Sequence, residues 1–193
     1  MNKWIFSFCL LLLGPLRAEE KPHDPPLFPI EKNGGDGVSP AKGKIFSDRL
    51  RELHEASLMP LADDENAEVY RLILVNYWDT HATVIKLTKK DDGYEVMLAC
   101  PEVGKPGEAT RKLERRVGKL DAGTVEGFQN RLKAASFFTM PTVGKNAGDD
   151  GEDWVLEAVR DGKYHVVVRW SPSEDDPSVV PFLATCRWLK EHA

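Results

Sequence analysis

The sequence predicts an α+β fold: a mainly antiparallel, twisted sheet of about six strands with helices packed on one face. Three observations carry this. Period-two alternation recurs between Val69 and Leu120 and again between Asp153 and Trp170, as strands with an inward and an outward face require. Helical periodicity appears near 44–58, 121–136 and 178–192, so strands and helices come in blocks rather than in strict alternation. The dipeptide Asp161-Gly162 joins the last two alternating runs, and Asp-Gly there marks a hairpin with a type I′ turn.

Residues 1–18 read as an export signal. Lys3 supplies the positive start, Trp4 to Leu13 the apolar run, and Ala18 the small residue before a cut. That run is about half the twenty or so residues a bilayer requires. The chain is therefore expected to be exported, periplasmic or extracellular, with no membrane span once the signal is removed. Residues 19–42, with prolines at 22, 25, 26, 29 and 40 and glycines at 34, 35 and 37, are expected to be a disordered linker. One α+β domain, 43–193, remains.

The net charge is −5, and loss of Lys3 and Arg17 with the signal makes the remainder more acidic still. This excludes nucleic acid as the expected partner, because such binding depends on basic surface. Beyond the signal there are two cysteines, Cys100 and Cys186, each in phase with inward residues. An oxidising compartment permits a disulfide; two buried thiols would satisfy the same pattern. No metal-spaced Cys/His cluster is present.

The elements follow in order. Phe46, Leu50 and Leu53 give the first helix its apolar face, and Met59-Pro60 is expected to end it. Val69–Trp78, Ala82–Lys89 and Gly93–Cys100 are strands, and the first two are joined by a tip carrying Trp78 and His81. Arg111–Leu120 is a basic strand, expected at an edge where charge blocks pairing with other chains. Asp121 is placed to cap the next helix, whose buried face holds Val125, Phe128 and Leu132. Ser178–His192 is the last helix, with Pro181 tolerated in its first turn.

The hairpin carries the candidate chemistry. Centring the turn on Asp161-Gly162 puts Trp154 opposite Arg169 and Ala158 opposite His165 on one face. The other face holds Val155 opposite Val168, Glu157 opposite Val166 and Asp153 opposite Trp170. This second face is the more apolar and is expected in the core, which leaves Glu157 as a carboxylate among valines. Such a group must be paired, hydrogen-bonded or neutralised. Trp154 beside Arg169 reads as a cation–π pair on the more exposed face. Antiparallel pairing also gathers Asp149, Asp150 and Asp153 with Glu174 and Asp175 at one end, framed by Trp154 and Trp170. The cofactor these acids would suit is calcium; a basic partner is the other reading, and plain solvated loops a third.

The residues Asp150-Gly151, Trp154, Glu157, Tyr164-His165 and Arg169-Trp170-Ser171-Pro172 resemble a family of uncharacterised exported bacterial proteins, a domain of unknown function. The likeness extends back over about the last two-thirds of the chain and implies no activity. Two functional classes are expected. One is a non-catalytic binding or interaction module for a protein or envelope ligand, using Trp154, His165, Arg169, Trp170, Trp78 and His81. The other is a hydrolase of cell-envelope material with Glu157 as general acid or base. No nucleophile elbow, zinc motif or phosphate loop favours the second.

Overall fold

The run Val-Tyr-Arg-Leu-Ile-Leu-Val forms β1 (Val69–Asn76), and its near-continuous apolar character suits a strand covered on both sides. It is buried at every position but the last. Around it lie β2 (Ala82–Lys90), β3 (Gly93–Pro101), β4 (Leu113–Leu120), β5 (Glu152–Arg160) and β6 (Lys163–Trp170). They form one six-stranded sheet in the order β4-β3-β2-β1-β5-β6, antiparallel at every step. The structure is a computed structural model and describes residues 24–31, 36–78, 81–101, 112–145, 148 and 150–193. The expected export signal and Asp149 lie outside these residues. No helix among the described residues is long and apolar enough to cross a membrane.

The hairpin register is the expected one, from Asp153 opposite Trp170 to Arg160 opposite Lys163. Asp161 and Gly162 take φ of 52° and 67°, the left-handed pair that a type I′ turn demands. Helices α2 (Ala122–Ala134) and α3 (Val180–Glu191) pack Phe128, Phe182 and Trp188 against Tyr70, Leu72, Leu156 and Val167 on one face. Asp121 caps α2, accepting from Thr124 N–H at 2.9 Å.

The opposite face is covered as well, by α1 (Pro40–Glu52) and the segment before it. Residues 24–31 and 36–42 are therefore part of the domain and not a linker. Phe28 and Val38 are buried at 1% and 0% exposure, the first edge-on to Phe46 at 5.7 Å. Proline and glycine content hid two core residues. Ser39-Pro40 is itself a start signal, with the Ser39 hydroxyl accepting from Lys42 N–H, so α1 begins earlier than periodicity indicates. It also ends before Met59-Pro60, because His54 turns left-handed at φ 57°. That turn delivers Glu55 into the sheet face.

Cys100 and Cys186 are free thiols, so of the two readings left open the disulfide does not hold. Cys100 is half-buried on β3 opposite Glu114 of β4. Cys186 is fully buried on α3, within electrostatic reach of Arg169 on β6, toward the other edge of the sheet. Strands lie about 4.8 Å apart, and three of them separate β3 from β6, beyond a disulfide's reach of roughly 7 Å. Burial pushes both thiols up.

Candidate functional site

Glu157 is wholly buried, and its partner is Arg71, directly opposite in the β1–β5 register. Arg71 Nε donates to Glu157 Oε2 at 2.7 Å, and the Tyr164 hydroxyl donates to Oε1 at 2.8 Å. Arg71 Nη1 in turn donates to the Ala56 carbonyl at 2.6 Å and lies 3.5 Å from Glu55. Glu55 also receives Lys86 at 2.6 Å and Arg115 at 3.4 Å. Burial pushes the Glu157 carboxyl up, with Arg71 and Tyr164 opposing it. A carboxylate tied at both oxygens and sealed from solvent has no free lone pair facing a substrate. Glu157 lines none of the clefts described below, and His165 emerges on the opposite face. The partner Arg71 was the residue missed. An arginine inside an otherwise apolar run was the signal for it, since a central strand cannot leave that charge alone.

The face expected to be more exposed is roofed by α2 and α3, and this reassigns its residues. Trp154 and Arg169 do not stack on each other. Lys190 of α3 stands 4.8 Å over the Trp154 ring, while Arg169 lies 5.8 Å from the Phe182 ring. Trp154 Nε1 donates to Glu152 at 2.6 Å. His165 is half-buried, edge-on to Phe137 at 5.2 Å. Its Nε2 faces the Met140 carbonyl at 3.0 Å, which makes that nitrogen the donor. Burial lowers its pKa, so it is a neutral packing histidine.

At the far end of the hairpin the acids among the described residues do not assemble a cation site. Asp153 is fully buried, clasped by Lys42 Nζ at 2.8 Å from each oxygen and by the Tyr77 hydroxyl at 2.6 Å. Asp150 is exposed, Glu174 pairs with Arg187, and Asp175 accepts from the Ser173 hydroxyl. Among the described residues no three metal-ligating side chains converge. Trp154 and Trp170 leave the sheet on opposite faces and do not frame one site.

Trp170 lines two adjoining clefts of about 420 and 340 Å³, with Pro141 and Val143 as their other shared walls. A short bridge builds that wall. Val143 pairs in parallel with Val168 on the outer edge of β6, where Val168 N–H donates to the Thr142 carbonyl at 2.6 Å and Gly144 N–H to the Val168 carbonyl at 3.2 Å. Thr142 N–H donates to Asp36 at 3.0 Å, drawing the N-terminal segment alongside. The larger cleft has Ser39, Lys42 and Asp153 at its base; the smaller has Arg169, Lys145 and Asp176. Of the candidate binding residues, Arg169 and Trp170 thus reach one cleft. Trp78, exposed at 74%, and the half-buried His81 line neither. The residues 36–42 and 141–145 were missed, for loops and supposed linker give no periodic signal.

Compared with known proteins, the chain matches no family model and no curated protein. The likeness noted at the hairpin residues therefore brings no relative and no activity with it.

Proposed function

We propose that the chain is an exported, non-catalytic binding module whose ligand seats in the paired clefts at Trp170. The observation that supports this is the indole itself. A half-buried tryptophan forms a wall common to two concavities, next to Val143, which is 44% exposed on the same rim. Aromatic walls with a few fixed polar groups are what small-ligand sites are made of, and aromatic anchors dominate recognition energy. The fixed polar groups are at hand in Lys42, held by Asp153, and in Arg169.

The test is ligand-observed NMR of the purified protein against a library of mono- and disaccharides, small carboxylates and short peptides. Binders are expected whose saturation-transfer signal falls at least about tenfold in Trp170→Ala, roughly 1.4 kcal/mol in affinity. Val143→Glu, on the exposed rim, should weaken the same binders while leaving the fold intact. A library with no binders, or binders indifferent to both variants, would overturn the reading; so would turnover of any member. Export rests on the N-terminal sequence, and fractionation of cells making the full chain should recover it outside the cytoplasm, shortened near Ala18.

A further inference from the structure

Arg169 is a buried cation with no acid at ion-pair distance among the described residues. It is 7% exposed, and among the described residues no carboxylate pairs with it. Its bonds go to main-chain carbonyls alone: Nη1 to Val168 at 2.7 Å, Pro141 at 3.2 Å and Thr142 at 3.3 Å, and Nη2 to Pro141 at 3.1 Å. Carbonyl dipoles hold the guanidinium in place without neutralising it, and burying an uncompensated charge is costly. Contrast Arg71, buried completely, which has Glu157 and Glu55.

The geometry of what is left over is specific. A guanidinium carries five N–H donors. The carbonyls occupy Nη1 and the end of the fork, which leaves Nε–H and the neighbouring Nη2–H without an acceptor among the described residues. Those two protons lie parallel on one edge, the arrangement that grips both oxygens of a carboxylate or phosphate. The approach to that edge runs past Gly144. A Cβ there would sit 2.9 Å from Arg169 Cδ and 3.4 Å from Nε, so glycine keeps the edge uncovered. The side chain lines the 340 Å³ cleft together with Lys145, Trp170 and Asp176. Phe182 backs the guanidinium, its ring centroid 5.8 Å from Arg169 Cζ.

We propose that the Nε/Nη2 edge of Arg169, entered past Gly144 and flanked by Lys145, is a receptor for an oxyanion group, with the rest of the ligand lying on Trp170. This deepens and rests on the reading of the Trp170 clefts as the binding surface. Asp176 is the one acid in the cleft. Ser178 already engages it, through N–H at 2.9 Å and hydroxyl at 2.6 Å, and it forms no ion pair with Arg169. It offsets part of the positive potential and so sets the affinity without filling the edge.

The experiment follows the Arg169 Nε–H and Trp170 indole N–H resonances of the folded protein during titration with glucuronate, inorganic phosphate and, as the uncharged control, glucose. Glucuronate should shift both signals saturably; phosphate should shift Nε–H alone; glucose should leave Nε–H unmoved. Gly144→Ala, whose backbone is not left-handed, should cost glucuronate about tenfold or more in affinity with an unchanged spectrum elsewhere. Lys145→Ala should cost less, and Asp176→Asn should tighten both anions. An Nε–H resonance that ignores both anions, or that responds equally in Gly144→Ala, overturns the oxyanion receptor. If the indole still responds to glucose in that event, the binding module survives and only its ligand class fails. If neither resonance answers to any probe, the receptor falls by the first criterion.

Discussion

At the scale of single residues, the sheet's interior is organised by charges that had to be reconciled before it could close. Arg71 and Glu157 occupy one cross-strand position with no exposed surface. Removing one partner strands the other. Arg71→Met is expected to destabilise by about 3–5 kcal/mol, whereas Arg71→Met with Glu157→Leu should recover most of that loss. Urea unfolding of the two variants measures it, and a double variant no more stable than the single would show that the pair is not the source. Glu68 gives a second case. Burial raises its pKa, but hydrogen bonds from Tyr70 at 2.8 Å, Tyr94 at 3.0 Å and Gln129 at 2.7 Å outweigh burial and bring it below the ordinary 4.5. Desolvation likewise holds His165 below its ordinary 6.5. Both groups bind protons more weakly when folded, so their stabilisation is full above those ordinary values and is lost as pH falls through the folded ones. The raised Glu157 works the other way, and its contribution fades as pH rises through its folded value. Melting temperature should therefore decline with acidification, in a limb below pH 6.5 missing from His165→Phe and a second below 4.5 that is shallower in Glu68→Gln, where Asp48, Asp121 and Asp176 still contribute.

At the scale of elements, the hairpin was the most legible part of the chain. Its register followed from the position of Asp161-Gly162 and the period of two, and both are local properties. Gly162→Ala should cost about 1–2 kcal/mol through the left-handed backbone alone. A Cβ there would meet nothing closer than 3.7 Å. A thermal melt unchanged by the substitution would contradict the turn. Less legible was which layer covers each face. The hairpin's two faces are both buried, and sequence alternation alone cannot tell an open face from one roofed by a distant helix. Phe28 and Val38 were invisible for another reason: their neighbours are prolines, glycines and charges, and their partners lie across the fold. Phe28→Ala should cost about 3–5 kcal/mol, as for a buried core aromatic. A cost near zero would return residues 24–31 to the status of a spacer.

At the scale of the whole molecule, the α+β architecture with one antiparallel sheet was readable from the order of elements, and the candidate site was readable only in part. Trp170 and Arg169 stood out by residue type. The walls that make them a site, at 36–42 and 141–145, come from segments with no periodicity, joined by contacts such as Asp36 with Thr142 across 106 positions. The edges of the sheet differ too. On β4 the basic side chains are matched within the chain, Arg115 by Glu55, Arg116 by Glu114 and Lys119 by Asp92. As expected of an edge strand, they keep that edge from recruiting other strands.

The N-terminal layer also has a consequence in time. Phe28 and Val38 leave the ribosome among the earliest residues of the domain, yet Val155, Val166 and Val168, against which they cluster, are among the last. Contacts this distant along the chain slow folding, so a nascent chain must wait, unsealed, until its final hairpin is made. Refolding followed by stopped-flow fluorescence should accordingly show Phe28→Ala accelerating unfolding while leaving the folding rate nearly unchanged.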